Sequence, residues 1–300
     1  MAQDRPGDPG ADGRPVPLAD GDLHVVEDGR PDAPGLLLIH GSAGSTAWWD
    51  PVVPALAGAC RVIRVDLPGH GRSSSAGGGY DIPAHARRVG AALDRLGPGP
   101  VTVIGHSMGC LVATALAEQR PDLVAALVLM DMGPSLDAAM PDGVLVRLLL
   151  ARVPGRLLWR LRNEATIRKA LRSAFSRPVD IPGAAIEAAL GMTHQALAGT
   201  ARGSEDYLRQ QSLPGRLAVL GLPLLVIFGT EDARYPSASA AAYRAVPGAR
   251  VELLPGVGHT PMMEDPQATA TLLLNFAGAA PRVAVDGGRG QQGGDGQAGP

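Results

Sequence analysis

Short apolar runs of five to seven residues recur along the chain and alternate with segments whose apolar positions repeat every three or four residues. Leu23–Glu27 reads as an early strand, and Gly35–Ile39, Arg61–Asp66, Val101–Gly105, Val124–Met130, Leu224–Phe228 and Arg250–Leu254 follow it as compact, nearly all-apolar runs. Continuous apolar runs suit strands buried on both faces, as in a parallel sheet covered by helices. Helical periodicity falls between them, around Trp48–Ala57, Pro83–Leu96, Met108–Gln119, Ala238–Ala245 and Pro266–Phe276. The alternation predicts an α/β fold with a doubly wound, mostly parallel sheet.

One stretch breaks the pattern. Residues 133–213 hold no convincing strand, only helical segments punctuated by Pro154, Gly155, Pro178, Pro182 and Gly183. That is too long for a loop. It is expected to form a helical cap over the C-terminal ends of the strands, where ligands bind in open α/β sheets. The expected organisation is a disordered segment over 1–17, core over 18–132, cap over 133–213, core again over 214–281, and a disordered Gly-rich tail over 282–300. The two ends have too few large apolar side chains to offset their ordering entropy.

Composition narrows the function classes. Apolar residues make up 45% of the 300 and charged residues 19%, an ordinary globular balance. A net charge of −2 gives no overall attraction to nucleic acid or to an anionic membrane. No run of about 18 apolar residues is present to span a membrane. The first residues, MAQDRPGDPGADGRP, lack the apolar stretch of a secretory signal, so a cytoplasmic location is expected. Cys60 and Cys110 are read as buried reduced thiols.

The strongest chemical signal is Gly105-His106-Ser107-Met108-Gly109, between the run ending at Ile104 and the helical pattern from Met108. A strand–turn–helix context is what a G-x-S-x-G nucleophile elbow demands. The turn strains the serine backbone, and the flanking glycines let strand and helix approach without Cβ clashes. A serine hydroxyl needs a base to attack, and His259 stands in a glycine-rich loop, Gly256-Val257-Gly258-His259-Thr260-Pro261, after the last apolar run.

With these motifs the chain resembles the α/β-hydrolase fold family over nearly all of its folded part. His40-Gly41-Ser42-Ala43 is similar to the family's oxyanion loop. The resemblance implies that the backbone N–H groups of Ser42 and Met108 hold the oxyanion, each typically worth ~3–4 kcal/mol. His40 itself is read as a structural buttress. Asp66-Leu67-Pro68-Gly69-His70-Gly71-Arg72-Ser73 also resembles a family stretch and suits a tight turn after a strand. The stretch from His259 to Pro266, HTPMMEDP, resembles the family's histidine loop. The family order Ser, acid, His implies an orienting acid before His259. Asp232, at the end of the Leu224–Phe228 run, matches that position, with Asp131 and Glu231 as alternatives.

The resulting expectation is a serine hydrolase cleaving a carboxylic ester of a small to medium, largely apolar substrate, with Ser107, His259 and Asp232 as the triad. Two other readings stay open: C–C bond hydrolysis or a cyclase or lyase step with the same residues, and a ligand receptor on the same scaffold. No cluster with metal-ligand spacing and no dinucleotide or phosphate loop is found, so a cofactor-free reaction on a small molecule is expected. No substrate-binding residue is assigned. The cap's arginines, including Arg147, Arg152, Arg156 and Arg160, recur at spacings that suit a solvated helix face. A basic entrance for anionic substrates, or a docking face for an acidic carrier protein, is the sharper alternative.

Overall fold

Strands that are apolar on both faces must be covered on both faces, and the computed structural model, which describes residues 13–75, 77, 79–141 and 143–279, shows how. The strands are β1 (Arg14–Val16), β2 (Leu23–Asp28), β3 (Gly35–Ile39), β4 (Arg61–Val65), β5 (Val101–His106), β6 (Val124–Met130), β7 (Leu224–Gly229) and β8 (Arg250–Leu254). They form one sheet in the order β1-β2-β4-β3-β5-β6-β7-β8. β2 runs antiparallel to β1 and to β4, and every other pair is parallel.

The helices are α1 (Val53–Ala57), α2 (Ile82–Leu96), α3 (Met108–Gln119), α4 (Val144–Leu150), α5 (Arg152–Arg160), α6 (Glu164–Arg172), α7 (Gly183–Gly191), α8 (His194–Gln210), α9 (Leu213–Leu220), α10 (Pro261–Glu264) and α11 (Pro266–Ala279). Alternation along each strand sorts side chains into two cores. Leu37 and Ile39 of β3 and Leu127 and Leu129 of β6 join one with residues of α2, α3 and α9. Leu36, Leu38, Val128 and Met130 join the other with α1, α11 and inner residues of the cap helices. The sheet is thus wound on both sides, as the apolar runs predicted.

Between β6 and β7 the chain is helical from α4 to α9. Its last helix, α9, packs Leu213 and Leu217 into the sheet's own core rather than into the cap. The amino-terminal end departs from expectation. Arg14–Val16, placed in the unstructured 1–17 segment, forms β1, because its backbone adds to β2, Val16 is buried in the core, and Arg14 pairs with Glu27 at 2.8 Å. Residues 1–12 and the Gly-rich tail over 282–300 lie outside the described residues. The Ala238–Ala245 pattern forms a 3-10 rather than an α-helix, over Ser237–Ala245. Cys60 and Cys110 are both free and buried. No described helix is long and apolar enough to cross a membrane.

The site follows from the strand order. The chain passes from β3 outward to β4 and then back across β3 to β5, so the order reverses between β3 and β5. Loops leaving the C-terminal ends of two such strands diverge and leave a crevice. Those two loops are His40–Ala43 and the turn at Ser107.

Candidate active site

Ser107 is the junction between β5 and α3, with φ 50° and ψ −124°. This left-handed backbone is strained for a residue with a Cβ, and its surroundings hold it. Its N–H donates to Met130 O at 2.8 Å, and its carbonyl accepts from Cys110 N at 2.8 Å. A Cβ at Gly105 would meet Gly109 O at 2.5 Å, and one at Gly109 would meet Ile39 O at 2.3 Å. Only glycine permits both approaches. The result is selective exposure: every residue from Val101 to Ala117 is buried except Ser107.

The His259 ring lies beside the serine, with Nε2 3.0 Å from Ser107 Oγ and Nδ1 2.9 Å from Asp232 Oδ2. The acceptor-only carboxylate fixes the tautomer: Nδ1 carries the proton and donates it, leaving the Nε2 lone pair toward the hydroxyl. Asp232 is held by two more donors, Arg234 N at 2.7 Å and Tyr235 N at 3.3 Å, both on Oδ1. Burial pushes this carboxyl upward, but the hydrogen bond and charge of His259 and the two amides outweigh it and hold the carboxyl below its usual range. Of the three acids left open, Asp232 is the one bonded to the imidazole. Glu231 is turned toward the Thr230 hydroxyl, at 3.4 Å.

Asp131 is nearer than its place in the sequence suggests. It directly follows β6, with φ 50°, is fully buried, and accepts Gly229 N–H on Oδ1 at 2.9 Å. Its other oxygen is buried, receives no N–H or O–H among the described residues, and faces the Asp232 carboxyl. Burial, then the charge of Asp232, pushes its carboxyl well above the usual range, so it is a neutral acid beside a charged one. Asp131, Asp232 and His259 bring three ligand-type atoms within 4.8 Å, the one such group among the described residues. A cation there would have to ionise Asp131 and displace the His259–Asp232 bond, so the trio fits a metal poorly.

The β3 loop lies against the elbow, since a Cβ at Gly41 would sit 3.0 Å from Ser107 Cβ. Ala43 has φ 56°, and Gly44 N closes a turn on Gly41 O at 3.1 Å. His40 shapes this loop. Nδ1 donates to Gly41 O at 2.7 Å and Nε2 accepts from Leu67 N at 3.0 Å, and burial keeps the ring neutral. Neither the Ser42 nor the Met108 amide donates to another backbone group among the described residues. Asp66 organises the turn after β4 by accepting Thr46 N at 2.7 Å and Arg72 N at 2.9 Å.

Two groups escaped the sequence reading. His106, the variable position of the elbow, donates Nε2–H to His259 O at 2.7 Å and tethers the base to the nucleophile's own turn. Burial and the neighbouring His259 lower its pKa to about 3, so it stays neutral. Trp48 stacks on its ring at 6.0 Å, and Phe175 of the cap stacks on Trp48 at 6.3 Å. Glu264 is the second. Its Oε2 accepts from Gly258 N, Ser176 N, Ser176 Oγ and Arg177 N, and its Oε1 from Thr260 N and Thr260 Oγ1, all at 2.8–3.1 Å. One carboxylate thus ties the histidine loop to the cap, whose Ala174 O also receives His259 N–H at 2.9 Å. The elbow motif and the HTPMMEDP stretch contain both residues, but their bonds span 153 and up to 88 positions.

The model of the alpha/beta hydrolase family matches residues 36–272. An uncharacterised protein of Mycobacterium tuberculosis is 30% identical over 262 residues, covering 81% of this chain and 75% of its own. A pimeloyl-[acyl-carrier protein] methyl ester esterase of Neisseria meningitidis is 28% identical over 244 residues, covering 80% of this chain and 91% of its own. Among solved structures, a hydrolase from Pseudomonas aeruginosa superposes with a TM-score of 0.73 at 25% identity, covering 90% of this chain and 99% of that one.

Proposed function

This chain belongs to the alpha/beta hydrolase family, and from that premise we propose that it is a serine hydrolase cleaving carboxylic esters of small to medium, largely apolar substrates. The observation that carries the reading is the His259 ring bonded on one side to a charged carboxylate and on the other to the half-buried Ser107 hydroxyl of the elbow. The methyl ester esterase named above gives the ester class independent support.

Ser107 Oγ attacks the ester carbonyl while its proton passes to His259 Nε2. Asp232 stabilises the imidazolium that forms and keeps its own charge throughout. The carbonyl electrons move onto oxygen, and the amides of Ser42 and Met108 donate hydrogen bonds to the oxyanion so formed. As the tetrahedral intermediate collapses, His259 returns the proton to the departing alkoxide and an alcohol leaves. Water then attacks the acyl-enzyme, giving its proton to the same nitrogen, and collapse releases the acid and restores Ser107 O–H. His106, through His259 O, and Glu264, through Gly258 N and Thr260 N, position the base without touching the reacting atoms.

The test is turnover of p-nitrophenyl esters of graded acyl length by the wild-type protein beside Ser107→Ala. Turnover that disappears in the variant supports the reading. A folded wild-type protein idle on every ester contradicts it.

A further inference from the structure

Between Gly143 and Asn163 the chain carries five arginines and no acidic residue, although its net charge is −2. The helices made there, α4 and α5, also hold most of the large exposed apolar side chains among the described residues. Val144, Leu145, Val153, Leu157 and Leu161 are 72%, 70%, 80%, 63% and 69% exposed. Single exposed leucines are ordinary, but this many on two adjoining short helices are not.

The spacing orders the surface. Val153, Leu157 and Leu161 stand four residues apart and form one row along α5 and just past its end. Arg152, Arg156 and Arg160 each stand one position earlier and form a second row beside it. On α4, which packs against α5, Arg147 stands among Val144, Leu145 and Leu148. Among the described residues no ion pair engages Arg147, Arg152, Arg156 or Arg160. The inner side of α5 is anchored instead. Trp159 Nε1 donates to Met192 O at 2.8 Å, and Arg162 lies over the Trp159 ring and donates to Leu190 O at 3.1 Å. The helix is thus pinned by its inner face and presents the two rows outward.

We propose that this face of the cap docks on an anionic lipid surface, with the aliphatic row entering the headgroup–acyl boundary and the arginine row pairing with phosphates. An interfacial helix combines those two features, an apolar face beside a basic one. The chain-wide charge predicted no such attraction, but beyond about 8 Å salt screens distant acids from this patch. A second copy is a poor occupant, because a two-fold contact would oppose the arginine rows of both copies with no acid between them. An acidic protein answers the arginines but supplies no apolar phase for the aliphatic side chains interleaved with them.

Docking is independent of which bond the site cleaves, so the test uses the full chain with Ser107→Ala, which hydrolyses no lipid. The protein is sedimented with vesicles of phosphatidylcholine alone or of equimolar phosphatidylcholine and phosphatidylglycerol. The expected result is binding to the mixed vesicles that weakens with added salt. Adding Arg152→Ser, Arg156→Ser and Arg160→Ser together lowers partitioning on the order of a hundredfold. Adding Val153→Ser and Leu157→Ser lowers it by about tenfold or more. Circular dichroism and melting check that these exposed changes leave the fold intact. No binding, equal binding to both vesicle types, or binding indifferent to either set of substitutions overturns the proposal. So does a dimer, or a complex with an acidic protein, that depends on the same residues without vesicle binding.

Discussion

Asp131 and Asp232 bring their carboxyls within 4.8 Å of one another at the ends of adjacent strands β6 and β7, and only Asp232 is ionised. The difference lies in their partners. Asp232 Oδ1 receives two amides and Oδ2 the imidazole, whereas Asp131 has one amide and a fully buried second oxygen. Two like charges this close in a dry site are strongly disfavoured, so one carboxyl keeps its proton and the better-solvated one takes the charge.

This asymmetry sets a pH dependence. The folded pKa of Asp131 is raised, so its contribution to stability is fully present at acid pH and is lost as pH rises above the ordinary carboxylate value. Asp131→Asn keeps the acceptor for Gly229 N–H and removes the titration. Its stability relative to wild type is expected to improve as pH rises above the ordinary carboxylate value, with a limiting slope of about 1.4 kcal/mol per pH unit. Thermal melts at each pH check this, and a constant difference between the two proteins would mean that Asp131 is ionised in the fold.

Asp232 gives the opposite sign. Its folded pKa is depressed, so its stabilisation holds above the ordinary carboxylate value and is lost as pH falls through the folded one. For activity, Asp232→Asn is expected to lower kcat by roughly 10³–10⁴, because the imidazole loses its charged partner. Asp131→Asn is expected to stay within about threefold of wild type, since a neutral acid gives way to a neutral amide. Ester hydrolysis by the two variants decides the assignment, and equal losses would contradict it.

In the oxyanion loop the main chain and the side chain of Ser42 separate cleanly. Ser42→Ala keeps the amide and should hold kcat within about threefold, while Ser42→Pro removes the N–H and should lower kcat by about 10²–10³. Steady-state kinetics of both variants provide the check. A large loss in Ser42→Ala would give the hydroxyl, not the amide, the leading part.

The two positioning residues act on the base from a distance. His106→Ala removes the donor from His259 O and is expected to lower kcat by about ten- to a hundredfold with KM little changed, since a small displacement of the base is enough. A KM effect of the same size would point to substrate contact instead. Glu264→Ala orphans donors of both the histidine loop and the cap, so melting should show a loss of ~3 kcal/mol or more. Glu264→Gln keeps the acceptor oxygen and should recover part of it.

What the sequence made legible was local. The runs at Gly35–Ile39 and Val124–Met130 match their strands to the residue, because strands buried on both faces leave no polar positions to blur their ends. The elbow was readable because its glycines, serine and flanking elements are contiguous. β1 was not, since Arg14–Val16 is three residues long and apolar only at Val16. The choice among Asp131, Glu231 and Asp232 depended on which carboxyl faces a ring 27 positions further on. The tether from His106 to His259 O and the sharing of Glu264 between loop and cap are likewise pairings between distant segments, which composition and periodicity do not encode.

The most direct test of the central claim is intact-mass and peptide-mass analysis after treatment with an alkyl fluorophosphonate, which traps an activated serine irreversibly. The account predicts one adduct per chain, mapped to Ser107, absent in Ser107→Ala and formed far more slowly in His259→Ala and Asp232→Asn. A folded wild-type protein that takes up no label, or takes it up on another residue, would contradict the assignment of Ser107 as the nucleophile.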